Sequence, residues 1–122
     1  MRLILSSLLT FLVFNLTAQT KEVKQIDKNK VFNENLLKIC NSLNKNDVIS
    51  IRTYFEPKIF SEFNSTYNNS EERKGAANIL KVGQVIDQSS NKKMISGYGY
   101  QIHFIFKKDK WVINYWDIFS SD

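Results

Sequence analysis

The stretch from Lys93 to Phe119 constrains the fold of this chain most strongly, because from Tyr98 onward its side chains alternate with a period of two. Such alternation, in a run rich in aromatic and β-branched residues, is typical of β-strands. The charged tetrad Lys107–Lys110 interrupts the alternation and predicts a turn. We therefore expect a long antiparallel hairpin against which the rest of the chain must pack.

The register of this hairpin decides which side chains share a face. We expect Phe106 to pair with Trp111, and that pairing places Tyr100 opposite Asp117. A shift of one residue would exchange the two faces, because side chains alternate along a strand. The predicted functional surfaces therefore depend on this register.

Under this register the two faces differ in chemistry. One face is almost wholly apolar and aromatic, and its candidate ligand-binding residues are Tyr98, Tyr100, Phe104, Tyr115 and Asp117. The other face is mixed, and its candidate partner-facing residues are His103, Asn114 and Trp116. We expect the first face to meet the core and the second to meet solvent or a partner.

Hydrophobic spacing before the hairpin predicts helices. Residues 31–44 carry apolar side chains at helical spacing, and Cys40 lies on that stripe as a small buried hydrophobe. Asp47 is expected to cap a second helix that ends before Pro57, and Ser70 is expected to begin a further helix.

The rest of this region is less regular. Residues 58–63 fit either a last helical turn or a short strand, and residues 64–70 are expected to form a polar loop. Gly83 predicts the end of the helix from Ser70, and residues 84–88 fit a short strand.

The first eighteen residues have the parts of a secretory signal peptide. Arg2 precedes an apolar run from Leu3 to Leu16, and Ala18 offers the small residue that cleavage needs. The run is shorter than the roughly 20 apolar residues of a membrane-spanning helix. We expect export to the periplasm or medium without a stable membrane anchor, a flexible lead-in over residues 19–30, and one cone-like α+β domain over residues 31–122.

Charge and residue counts exclude several classes of function. Without Arg2 the chain has 16 basic and 12 acidic residues, a modest excess that fits a solvated surface better than a nucleic-acid groove. Cys40 and His103 are the sole residues of their types, so neither a disulfide nor a metal site is expected. The sequence contains no cofactor-binding loop.

The order of these elements predicts an α+β fold, in which N-terminal helices pack on a curved antiparallel sheet that ends in a long C-terminal hairpin. Curvature is expected because Gly97 and Gly99 favour a bulge or bend. A single compact domain of this size can bury a sufficient core.

Two segments of the chain carry a resemblance to a known family. The first is Asn46–Asp47, which opens a helix that runs into Tyr54–Pro57; the second is the hairpin Phe104–Ile113 followed by Trp116. Together they resemble the nuclear transport factor 2-like (cystatin-like, SnoaL-like) superfamily. The resemblance covers most of residues 31–119. The chain departs from the superfamily pattern between Ser61 and Gln88, where the usual middle strands are hard to find.

This resemblance implies a cone with a pocket between the sheet and the helices. Some members are enzymes of the ketosteroid isomerase or dehydratase type, which use Asp, His and Tyr side chains in the cone, and many only bind ligands or assemble. The weak catalytic candidates are Asp117 as the proton carrier and Tyr100 as its polar partner. We favour the alternative that Asp117 lies in water at the sheet edge.

Three functional hypotheses follow. The leading one is an exported, non-enzymatic domain that binds a small apolar ligand or a protein partner, including a second copy of itself, and needs no cofactor. The second is an isomerase or hydrolyase with a pocket in the cone. The third is a periplasmic immunity-type protein that contacts a toxin through His103, Asn114 and Trp116.

The export hypothesis predicts a defined mature N-terminus. When the full chain is produced in a secreting bacterial host, we expect the exported protein to begin at Gln19, because Ala18 is the small residue before the predicted cut. Intact-mass analysis of the periplasmic and medium fractions measures this. Full-length protein that remains in the cytoplasm would contradict the prediction.

Overall fold

A computed structural model describes residues 25–118, which form four helices followed by four strands. Three segments lie outside the described residues: the predicted signal peptide (residues 1–18), residues 19–24 and the last four residues (119–122). The elements are α1 (Lys28–Asn44), α2 (Val48–Arg52), α3 (Pro57–Thr66), α4 (Ser70–Val82), β1 (Gln84–Ser89), β2 (Lys92–Gly97), β3 (Tyr100–Lys107) and β4 (Lys110–Ile118).

The strands form one antiparallel sheet in the order β1-β2-β3-β4, with each strand paired to the next along the chain. α1 contacts α4 and β4, α4 contacts β2, and α3 contacts β4. We call the helix-covered side of the sheet the inner face and the other side the outer face. Helices packed on one face of an antiparallel sheet confirm the predicted α+β class.

α1 confirms the predicted first helix and begins three residues before its predicted start. The Asp27 side chain accepts a hydrogen bond from the backbone N–H of Lys30 and caps the helix. Cys40 is 2 % exposed, as expected of a buried hydrophobe, and its Sγ lies 3.8 Å from the Ala77 carbonyl oxygen. Burial raises the pKa of the Cys40 thiol, so the side chain stays a neutral packing group.

The second and third helices meet at a proline. Asp47 caps α2 as predicted, and α2 ends at Arg52. Pro57 then occupies the first turn of α3. Backbone N–H groups in the first turn have no acceptor within the helix, so a proline there costs no hydrogen bond. α3 shows that residues 58–63 are helical, and its continuation to Thr66 makes residues 64–66 of the predicted loop helical as well.

α4 begins at Ser70 as predicted, and its cap is the preceding residue. The Asn69 side chain accepts a hydrogen bond from the backbone N–H of Glu72 at 2.9 Å. Gly83 ends the helix and leads directly into β1, which covers the predicted strand and adds Ser89.

The stretch predicted as one hairpin contains three strands. Its first turn lies at Tyr98–Gly99, where Gly99 has a φ of 83°, a left-handed conformation that favours glycine. The second turn of the stretch is the one predicted at Lys107–Lys110, and it is confirmed: Lys108 and Asp109 have φ values of 53° and 62°. Two central residues with positive φ are typical of the tight turns that join antiparallel strands.

The predicted register holds near the second turn and fails beyond it. Phe106 pairs with Trp111 and Phe104 with Ile113, as expected. Asn114 is then an extra residue without a pairing partner, so β4 contains a β-bulge. The bulge shifts the register by one residue, and Asp117 pairs with Gln101 instead of Tyr100.

Side chains fill the space between the sheet and the helices. Phe32 of α1 meets Phe104 and Trp111 edge to face, with ring centroids 5.1 and 5.5 Å apart. Phe104 and Trp111 are 1 % and 0 % exposed, and Ile102 is fully buried. The middle of the predicted cone is therefore a packed core.

Two hydrogen bonds join α1 to Trp111. The Asn35 side-chain oxygen accepts from the Trp111 backbone N–H at 2.8 Å, and the Lys28 carbonyl accepts from the Trp111 indole N–H at 2.9 Å. Asn35 is 9 % exposed and therefore serves as a buried polar link between the helical layer and β4.

We expect Asn35→Ala to lower the free energy of unfolding by about 1–3 kcal/mol, because the Trp111 N–H would stay buried without its acceptor. Urea denaturation measures the change. Asn33→Ala is the matched control, since Asn33 lies exposed on the same helix. Equal losses in the two variants would show that the buried hydrogen bond does not stabilise the fold.

Candidate functional site

The bulge at Asn114 divides the predicted pocket residues between the two faces of the sheet. Tyr100 and Phe104 lie on the inner face, within the core. Tyr115 and Asp117 pair with His103 and Gln101, so they lie on the outer face. The prediction that all of these side chains share one aromatic face is therefore wrong. One extra residue in a strand exchanges the two faces for every residue that follows it.

The remaining pocket candidates are separated further. Tyr100 is 9 % exposed, and its hydroxyl donates to the Ile79 carbonyl of α4 at 2.8 Å. Tyr98 lies in the turn between β2 and β3 and is 98 % exposed. Tyr100 therefore ties α4 to the sheet, whereas Tyr98 projects into solvent.

Asp117 and Tyr100 do not converge, because they lie on opposite faces. The hydrogen-bond partner of Asp117 is instead Tyr115, whose hydroxyl donates to Asp117 Oδ2 at 3.0 Å. This hydrogen bond is the main reason why the pKa of Tyr115 is raised, with smaller contributions from desolvation and from the Asp117 charge. The arrangement holds the phenol in its protonated form.

The predicted partner-facing residues also fall in different places. His103 lies on the outer face and meets Tyr115 edge to face, with ring centroids 4.9 Å apart. Asn114 is the bulged residue, and its side-chain oxygen is buried without a hydrogen-bond partner among the described residues. Trp116 pairs with Ile102 and faces inward, which corrects its predicted outward position.

The outer face is a mixed surface that crosses all four strands. Its central row is Ile86, Met94, His103 and Tyr115. A second row contains Lys92, Ile105 and Val112, and a third contains Gln84, Ser96, Gln101 and Asp117. Within residues 25–118 the helices pack on the inner face, so this surface is open.

A groove lies between α3 and the end of β4 and has a volume of about 290 Å³. It is lined by Ile59, Glu62, Phe63, Thr66, Tyr67, Trp116 and Ile118. Phe63 and Tyr67 stack with centroids 4.6 Å apart, and Trp116 meets Phe63 edge to face at 4.8 Å. The groove therefore has an aromatic wall.

Two polar groups mark this groove. The Trp116 indole N–H donates to the Tyr67 hydroxyl at 3.3 Å, and burial raises the pKa of that hydroxyl. Glu62 is an exposed carboxylate in the lining. Sequence reasoning missed this site because residues 64–70 were expected to form a loop. The available signal was the spacing of Phe63 and Tyr67, four residues apart, which places them on one helix face.

Residues 25–118 contain no cluster of three or more potential metal ligands. In the same part of the chain, no helix has the length and apolar character required to cross a bilayer. No family model matches this chain, and neither a curated protein nor a solved structure matches it significantly.

We expect Asp117→Asn to lower the pKa of Tyr115, because the carboxylate that accepts the phenol hydrogen bond and disfavours the phenolate would be lost. Titration of the Tyr115 ring carbon by NMR measures the change. Asp109→Asn, in the turn between β3 and β4, is the matched control. An unchanged Tyr115 titration in Asp117→Asn would show that the pair does not form in solution.

Proposed function

We propose that this protein is an exported, non-enzymatic binding domain that acts through the outer face of its sheet, and that this face binds a second copy of the chain. The observation that carries the proposal is the open outer face. Its central row combines apolar and aromatic side chains, and Tyr115 keeps 44 % of its surface exposed. Aromatic side chains are enriched where proteins bind each other.

The dimensions of the outer face suit an interface of moderate strength. Four strands at a spacing of about 4.8 Å and the eight residues of β3 at about 3.3 Å each give roughly 500 Å². A standard interface buries about 800 Å² on each partner. This smaller area is typical of weak, reversible complexes, and contacts at the rim would add to it.

The charges on this face are arranged for self-association. Asp117 lies in the row at one end of the sheet, and Lys92 lies in the row at the other end. A two-fold axis in the plane of the interface that bisects the line between these two residues places Asp117 of one copy against Lys92 of the other. Such an interface uses the same patch on both subunits, as closed dimers do.

The other parts of the proposal come from the sequence. Export is supported by the signal-peptide pattern of residues 1–18. Membership of the nuclear transport factor 2-like superfamily is supported by the motif residues and is compatible with helices that pack on an antiparallel sheet. The isomerase or hydrolyase alternative receives no support from Asp117 and Tyr100, because they lie on opposite faces.

We expect the purified mature chain to sediment as a reversible dimer between about 1 and 100 µM. Tyr115→Lys should weaken the dimer at least tenfold, because it places a charge in the central row. Ile49→Lys is the matched control, since Ile49 of α2 is also an apolar side chain, 82 % exposed, on the helical side. Sedimentation velocity measures both variants.

A chain that stays monomeric at the highest concentration would overturn the second copy as the partner and would favour another protein, such as the toxin of the immunity hypothesis. Equal weakening by Ile49→Lys and Tyr115→Lys would place the interface elsewhere. Far-UV circular dichroism confirms that both variants keep the fold.

A further inference from the structure

The groove between α3 and β4 is distinct from the outer face, and its size restricts its ligand. Its volume of about 290 Å³ lies at the lower end of the range for small-molecule sites, roughly 300–1,000 Å³. Ile59 and Ile118 contribute apolar surface, and Phe63, Tyr67 and Trp116 contribute aromatic surface. The groove can therefore hold a compact molecule with a few carbon atoms.

The aromatic wall is a product of the fold. Trp116 faces inward because the bulge at Asn114 shifts the register of β4, and it remains only partly buried at the groove. The indole is the side chain whose π system attracts cations best. A tryptophan whose ring borders an open groove is therefore suited to an organic cation.

Two of the hydrogen-bond donors at the groove are engaged within the protein. The Trp116 indole N–H donates to the Tyr67 hydroxyl at 3.3 Å, and the Thr66 hydroxyl donates to the Glu62 backbone carbonyl at 3.4 Å. The Tyr67 hydroxyl, which accepts from Trp116, keeps its own O–H as a donor. An anion at this O–H would lie in the same lining as the Glu62 carboxylate, which would repel it.

The charge of the lining points the same way. Glu62 is the charged side chain in the lining, which contains neither lysine nor arginine, although the chain as a whole carries a net charge of +5. A neutral apolar ligand would gain nothing from this carboxylate. A cation gains from both Glu62 and the aromatic wall.

We propose that this groove binds a small organic cation of the alkylammonium class, with Trp116 contacting the cation through its ring and Glu62 supplying the opposite charge. The ligand is a molecule with a compact, poorly hydrated positive group, such as a quaternary or methylated amine. This inference is independent of self-association through the outer face, because the two sites use different side chains of β4.

The test compares choline with 3,3-dimethylbutan-1-ol, which has nearly the same shape and no charge. Titration of ¹⁵N-labelled protein is followed by NMR through the indole N–H of Trp116. The indole N–H of Trp111 is the internal control, because it is bonded to Lys28 in the core. We expect choline to shift the Trp116 signal and to bind about threefold or more tightly than the alcohol.

Variants assign the selectivity to its two sources. Glu62→Gln should remove most of the preference for choline over the alcohol, whereas Glu34→Gln, an exposed carboxylate of α1, should leave it unchanged. Trp116→Phe lacks the indole N–H, so binding to this variant is followed through the backbone amide signals of Phe63 and Tyr67. It should bind choline more weakly and retain apolar contact, since phenylalanine is a poorer partner for a cation.

Three outcomes would overturn the proposal. They are a Trp116 signal that does not respond to choline, equal or tighter binding of the alcohol, and a preference for choline that is undiminished in Glu62→Gln. The second outcome would assign the groove to neutral apolar ligands. Repeating the titration with Tyr115→Lys separates the two sites, since choline affinity should not change there.

Discussion

The bulge at Asn114 is the constraint on which both candidate surfaces depend. Pairing between β3 and β4 is regular from the turn to Phe104 and Ile113, and it resumes one residue out of step at His103 and Tyr115. Because strand side chains alternate, this single insertion turns Trp116 toward the helices and Tyr115 toward the open side of the sheet. The end of β4 therefore supplies alternate residues to two different sites.

The packed interior explains why both sites lie at the surface. Phe32, Phe104 and Trp111 fill the region between α1 and the sheet, and Asn35 binds the backbone of β4 through a buried hydrogen bond. A core of this density has no room for a ligand at its centre. The two proposed binding surfaces are therefore the outer face and the groove beside α3.

The two surfaces have different chemistry and suit different partners. The outer face spreads apolar, aromatic and polar residues over four strands, which suits a broad protein contact. The groove is small and concave, and it combines Trp116 with Glu62, which suits a compact cation. Because Tyr115 and Trp116 are neighbours in β4, a partner on the outer face and a ligand in the groove would both contact the same strand.

The sequence by itself determined the α+β class, α1, the caps and ends around Asp47, Ser70 and Gly83, and the turn at Lys108–Asp109. Each of these depends on local signals, such as apolar spacing, a capping side chain or a residue suited to a turn. Such signals act over a few residues, so one chain segment contains all the information required.

Only the tertiary structure decided that the hairpin stretch holds three strands, that residues 58–66 are helical and that β4 contains a bulge. The turn at Tyr98–Gly99 is marked in the sequence by glycines that also fit a bulge or bend within one strand, and nothing local marks Asn114 as an extra residue. Whether a strand contains a bulge depends on the contacts that its side chains then make. With the bulge, Trp116 faces inward and contacts Phe55, Phe63 and Tyr67. Periodicity describes one strand, whereas its register depends on contacts with residues distant in the sequence.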